Sequence, residues 1–263
     1  MLPNRTLPPL PPRRVETSVT SPIQIDWTMP KIGLTFAPGK VDNGSTALWR
    51  RNVWDDCRAI AAAGGRVLVT LLEDSEIPLL KIEELGDAAK AAGLLWVRFP
   101  IRDVSTPTAD EADAFAVLID SIVALSTAGL GVVIHCRGGK GRAGLVGACA
   151  TFKALVALRS ATGEGDPPTP ADVIRLVRTT RKGTIETTAQ ERYVYDFARR
   201  AFPAVAADAP GWTAPVEKPV PDQWFGRSVR GRSHLDEDDF FGFKDDITPM
   251  LPEKPIGTRG GRR

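Results

Sequence analysis

The stretch Gly131-Val132-Val133-Ile134-His135-Cys136-Arg137-Gly138-Gly139-Lys140-Gly141-Arg142-Ala143-Gly144 decides how this chain is read. Its first four residues are an apolar run of the length of a short buried strand. Beyond the glycine-rich loop, Leu145-Val146-Gly147-Ala148-Cys149-Ala150 reads as the start of a helix. A strand, a glycine-rich loop and a helix start make an anion site, because the helix N-terminus offers unpaired N–H groups and positive partial charge. Glycines at 138, 139 and 141 are expected to let neighbouring amides turn inward. Cys136 stands at the start of that loop, so its thiol is expected to ionise easily. Arg142 supplies a planar fork suited to a bidentate grip on a phosphoryl group.

Other chemistries fail on the same residues. A nucleotide phosphate loop ending at Gly139-Lys140 needs glycine at 134 and a hydroxyl at 141, where Ile134 and Gly141 stand. A papain-like thiol site needs a separate histidine as base, but the two histidines are His135, beside the cysteine, and His234, in a polar tail. Three cysteines and two histidines are scattered without zinc-ligand spacing, so no metal is expected. The loop itself must activate the cysteine.

Working outward, Arg66-Val67-Leu68-Val69-Thr70-Leu71-Leu72 and Leu94-Leu95-Trp96-Val97-Arg98-Phe99 read as two further strands. Thr108-Ala109-Asp110-Glu111 predicts a capping box for a helix through Phe115, Leu118, Ile119 and Ile122. Thr169-Pro170-Ala171-Asp172 opens another helix, with proline in its first turn. Thr187-x-x-Gln190 is a third capping box, ahead of Tyr193, Tyr195 and Phe197. Strands alternating with helices predict an α/β fold of three layers, α/β/α, around a mostly parallel twisted sheet. Ligands of such sheets lie at the carboxyl ends of the strands, where Cys136 falls.

The chain of 263 residues divides into an N-terminal proline-rich arm (1–25), a domain (26–205) and a C-terminal extension (206–263). Leu7-Pro8-Pro9-Leu10-Pro11-Pro12 is short of core residues and reads as extended. The extension combines seven prolines with balanced charge, which predicts little independent structure. Its aromatics Trp212, Trp224, Phe225, Phe240, Phe241 and Phe243 suit docking on the domain or on a partner, and Asp236-Glu237-Asp238-Asp239 reads as a solvated charge run. A formal charge of +2 demands no polyanion, so no nucleic-acid partner is expected. No 18-residue apolar span and no basic amphipathic stretch is apparent, so no stable membrane association is expected. Cys57, Cys136 and Cys149 give no disulfide framework, and the first residues hold no apolar secretory segment, so a reducing cytoplasm is the expected setting. Cys57 and Cys149 are expected to fill the core.

Cys136, five intervening residues and Arg142, with His135 before them, resemble the signature of cysteine-dependent protein tyrosine and dual-specificity phosphatases. Rhodanese-type sulfurtransferases carry a loop one residue shorter. Phe99-Pro100-Ile101-Arg102-Asp103 with Thr106-Pro107 resembles that superfamily's general-acid loop. Gly183-Thr184-Ile185-Glu186-Thr187 with Gln190 resembles the segment whose glutamine positions the hydrolytic water. The order acid, cysteine loop, glutamine is unlike that of low-molecular-weight phosphatases. Ile32 to Lys40 and Arg50-Arg51-Asn52-Val53 are most similar to the cyclin-dependent-kinase-associated phosphatase group, and the resemblance spans about residues 30 to 202.

The resemblance implies Cys136, Arg142 and Asp103 as catalytic residues, and His135, Arg137, Gly138, Gly139, Lys140, Gly141 and Gln190 as substrate-binding ones, with no cofactor. His135 is expected to order the loop rather than transfer protons. The expected activity is hydrolysis of phosphoprotein monoesters through phosphocysteine. Arg137 and Lys140 add two cations, which makes a phosphoinositide or inositol phosphate the alternative substrate. A noncatalytic phosphate-binding module is the third reading, and a pure binder would not need Asp103. Ala143 stands where the family usually carries a serine or threonine that stabilises the departing thiolate, so phosphocysteine is expected to accumulate.

Overall fold

The computed structural model describes residues 13–44, 47–163 and 168–203. The prolines of Leu7 to Pro12 and the aromatic and acidic residues of the C-terminal extension lie outside the described residues.

The central sheet holds β2 (Asp26–Met29), β3 (Ile32–Phe36), β6 (Gly65–Thr70), β7 (Leu95–Arg98) and β8 (Gly131–Cys136), in the order β2-β3-β8-β6-β7. Four of them, β3, β8, β6 and β7, run parallel, and β2 pairs antiparallel with β3 at one edge. The sheet is therefore mixed, with the expected parallel part at its centre. Every residue of β8 is buried, as a central strand covered on both faces requires. Its side chains alternate: Val132 and Ile134 join one core cluster, and Val133 joins the other.

The first cluster is closed by α4 (Ala112–Thr127), α5 (Gly141–Thr162), α6 (Pro170–Thr180) and α7 (Thr188–Ala201). The second is closed by α1 (Val53–Ala62), α2 (Glu76–Leu80) and α3 (Leu85–Ala91). These are the three layers the alternation predicts. Cys57 and Cys149 are buried one in each cluster, as expected of small core residues. Burial pushes the thiol of Cys57 up to about 12 and that of Cys149 higher still.

Four expectations are corrected. Helix α5 begins at Gly141, not Leu145: its glycine-rich first turn has poor intrinsic propensity and is held by packing instead. A side chain at Gly147 would sit 2.7 Å from Leu34 Cδ2, so α5 crosses β3 closely only because the residue is glycine. The same helix is long and apolar enough to cross a membrane, so an apolar 18-residue window does exist; most of it is buried as the domain's central helix. Helix α4 starts at Ala112, and Thr108 is no reciprocal cap: its N–H and hydroxyl both donate to Glu111 Oε2. The boxes at Thr169/Asp172 and Thr187/Gln190 are both formed.

The fourth correction concerns the N-terminal arm. Residues 13–25 belong to the folded unit: β1 (Arg14–Glu16) pairs parallel with β5 (Ala47–Arg50), which pairs antiparallel with β4 (Val41–Asn43). Arg51 fastens this segment from inside. Its Nη1 donates to the carbonyls of Thr17 and Ser21, while Nε and Nη2 grip both oxygens of the buried Asp56. This small second sheet flanks the Cys136 loop.

Candidate active site

The loop from Cys136 to Arg142 is built so that its carbonyls face outward. The Arg137 carbonyl accepts from Ala37 N at 3.3 Å, and those of Gly138 and Gly139 accept from Arg181 Nη2 and Nε at 3.1 and 2.6 Å. Arg181 is itself anchored to Asp26 on β2. In a trans peptide the C=O and the following N–H point in opposite directions, so the N–H groups of Gly138, Gly139 and Lys140 turn away from these partners. With the N-terminus of α5, they form a concave set of donors. Gly139 is essential to this: its φ is +69°, and a Cβ there would collide with the Thr35 carbonyl. Gly138 is not, since a side chain there meets open space.

Arg142, on the first turn of α5, is 1% exposed. Its Nη1 donates to Glu76 Oε2 at 2.5 Å and to the carbonyls of Leu71 and Ile101, and its Nη2 to Glu76 Oε1 at 2.9 Å. Asp103 Oδ1 lies 2.8 Å from the same Nη2. The buried Nε has no hydrogen-bond partner among the described residues. Against the cost of burial, Glu76 first, then Cys136 and Asp103, hold the guanidinium's charge well fixed. Asp103 is 54% exposed, on the loop after β7, with its N–H bound to Glu73 Oε2 and its Oδ1 accepting from Val104 N. It is thus both a turn residue and a site residue.

Two expectations for the site change. His135 cannot touch a substrate, since it is fully buried with Nε2 2.7 Å from Thr70 Oγ1, which also accepts from Trp96 Nε1. Burial pushes its pKa down to about 3, so it is neutral and orders the strand beneath the loop. Arg137 is no free cation: Nε and Nη2 hold both oxygens of Asp42 on β4. Lys140 remains exposed at the mouth.

Gln190 is fully buried, and its Oε1 accepts from the N–H groups of Glu186 and Thr187 while Nε2 donates to the Ser105 carbonyl. It ties the acid loop to the start of α7, and its amide also faces the Cys136 loop, where a Cβ on Gly141 would lie 3.0 Å from Nε2 and 3.2 Å from Oε1. The exposed carboxylate beside the loop is that of Glu186, which a Cβ on Gly141 would meet at 2.5 Å.

Other residues escaped the sequence. Glu76 follows the end of β6, one of the parallel strand ends where ligand sites form, which is the signal that could have found it. Arg181 and Lys40 carry no comparable local signal.

Residues 37–194 match the phosphatase-domain model described as PTP-SAK, Swiss Army Knife protein, DSP-PTPase phosphatase domain. The chain belongs to that family. It is 27% identical over 185 residues to cyclin-dependent kinase inhibitor 3 of Rattus norvegicus, covering 67% of this chain and 79% of that protein. To the Homo sapiens protein of the same name it is 28% identical over 149 residues, covering 56% and 64%. A crystal structure of kinase associated phosphatase, with its catalytic-site cysteine substituted by serine, matches with a TM-score of 0.57 and 24% identity, covering 70% of this chain and 98% of that one. This places the dual-specificity phosphatase domain near the kinase-associated group. Cys136 and Arg142 fall inside the matched stretch, as does Asp103.

Proposed function

We propose that the chain hydrolyses phosphoprotein monoesters, phosphotyrosine and also phosphoserine or phosphothreonine, through a phosphocysteine intermediate. The observation that carries this is the convergence on one loop of Cys136 from β8, Arg142 from α5 and Asp103 from the loop after β7. Uncatalysed phosphate monoesters react very slowly, so positioning and charge matching supply most of the acceleration. Cys136 thiolate attacks phosphorus in line, forming the S–P bond as the P–O bond to the leaving group breaks. Asp103 gives that oxygen its proton. The loop N–H groups and Arg142 hold the three remaining oxygens. In the second step Asp103 takes a proton from water as its oxygen attacks phosphorus, and the thiolate leaves. The chemistry needs a reduced Cys136, which suits the cytoplasm.

The phosphoprotein reading is preferred to an inositol phosphate because Arg137 is spent on Asp42, leaving Lys140 as the extra loop cation. The relatives' names point the same way, toward kinases as partners. The test is turnover of phosphotyrosine peptide, phosphoserine peptide and inositol phosphates by wild type and Cys136→Ser, with rapid mixing. We expect peptide turnover, a burst of leaving group because Ala143 offers no hydroxyl to the departing thiolate, and binding without turnover in the serine variant. Preference for inositol phosphates would overturn the substrate class, and binding without turnover in the wild type would make the domain a phosphate-binding module.

A further inference from the structure

Lys40, between β3 and β4, is 5% exposed. Burying an ammonium is expensive unless an anion or good hydrogen bonds accompany it. Its surroundings supply both only in part: the nearby carboxylate of Asp42 opposes the cost of burial but is shared with Arg137. Its Nζ lies 4.0 Å from the ring centre of Trp49 and 4.9 Å from that of Phe36, two aromatic faces that attract a cation without neutralising it. Among the described residues its ammonium makes one long hydrogen bond, 3.4 Å, to the carbonyl of Arg137, the residue after Cys136. Both oxygens of Asp42, the carboxylate nearest along the chain, are held by Arg137. The two rings also pack on each other, with centroids 5.2 Å apart, so the ammonium is aimed by a rigid cage.

We propose that Lys40 is a positioning residue of this site: a caged cation that shares Asp42 with Arg137 and takes the anion held in the Cys136 loop as a second counter-charge, so that anion capture depends on its protonation. The reading rests on the loop being the anion site proposed above. The charged groups facing Lys40 are Asp42 from β4, Arg137 and Cys136 from the end of β8 and its loop, and Arg51 from the segment after β5. Burial, with the two arginines, brings the Lys40 ammonium down to about 8, against the opposing pull of Asp42 and Cys136. Between pH 7 and pH 9 the cage therefore loses its charge. An anion arriving in the loop adds a second opposite charge and raises the Lys40 pKa, so binding takes up a proton in this range.

The experiment measures sulfate binding, a dianion throughout this range, by calorimetry at pH 7 and pH 9. The proteins are full-length Cys136→Ser, alone and combined with Lys40→Met or Lys40→Arg. Cys136→Ser is expected to lose roughly tenfold in affinity between the two pH values, the size of one charge pair at intermediate dielectric. With Lys40→Met the affinity should be low and flat, and with Lys40→Arg high and flat, since arginine keeps its charge. In the Cys136-containing protein, kcat/KM for a phosphotyrosine peptide should fall above about pH 8, and Lys40→Arg should abolish that limb. A purely structural Lys40 would leave the pH dependence of sulfate affinity intact in both variants, and that result overturns the proposal. Failure of the wild type to turn over substrate, with the sulfate pattern intact, would instead remove the hydrolase reading and leave Lys40 standing.

Discussion

The two arginines of the Cys136 loop lean against different walls. Arg142 is buried against Glu76 and Asp103, carried by segments at the ends of β6 and β7, while Arg137 is half-exposed and pairs with Asp42 on the small sheet. Both pairs are bidentate, yet physics assigns them different weights. A buried guanidinium deprived of its carboxylate is an uncompensated charge in a low-dielectric setting, whereas a surface pair competes with water. The same contact on paper is therefore structural and chemical on one wall and largely a steering element on the other.

Removing the proposed acid breaks that comparison hardest. Asp103→Asn keeps the size of the side chain and its turn, so the melting temperature should hardly move. Its kcat for phosphopeptide should drop by about 10²–10⁴-fold, the usual worth of a positioned general acid. A leaving group that needs no proton should suffer much less; equal losses for good and poor leaving groups would show that Asp103 only orients Arg142.

Glu76→Gln tests the burial half of the argument. Losing one partner of a buried pair costs about 3–5 kcal/mol, and the amide recovers part of this by accepting one hydrogen bond from Arg142. We expect a loss of about 2–4 kcal/mol in a urea titration, with activity falling alongside because Arg142 is no longer aimed. A change under 1 kcal/mol would mean that the carbonyls of Leu71 and Ile101 suffice to hold Arg142.

Between the walls lies His135, and it should couple the loop's floor to acid. Its folded pKa is about 3 against roughly 6.5 unfolded, so below pH 6.5 the unfolded chain binds a proton that the fold refuses. Stability from this group is fully present above that pH and declines as pH falls toward 3. From pH 7 to pH 5 the loss is about 2 kcal/mol. The difference in urea midpoint between those two pH values should shrink in His135→Gln; an unchanged difference would mean that other groups carry the acid sensitivity.

The sequence was legible wherever signal and partner were close together. Strand β8 shows as an apolar run, α6 and α7 announce themselves through capping boxes, and Cys136 with Arg142 is a local spacing. The small sheet was hidden because its strands are three or four residues long, partly exposed and mixed in polarity, too short for periodicity to register. Likewise Glu76, Arg181 and Lys40 reach the loop across 66, 42 and 97 positions of chain, and no local pattern encodes such a meeting. Gln190 shows the same limit. Its capping role is local, but its hydrogen bond to the Ser105 carbonyl spans 85 positions of chain.

Asp42→Asn is the gentlest of these changes and sharpens the comparison most. The amide can still accept from Arg137, but the formal charge is lost and the guanidinium becomes available to a substrate. Stability should change by less than about 1 kcal/mol, as for other exposed pairs. Substrate choice should move further: released cations at the mouth favour densely charged ligands, so the KM for inositol phosphates should fall a few-fold relative to that for phosphopeptide. A matching fall for both would mean that the freed charge acts as a general field. No change in either, with stability intact, would mean that Arg137 turns to solvent once released, and that the small-sheet wall touches the site through Lys40 alone.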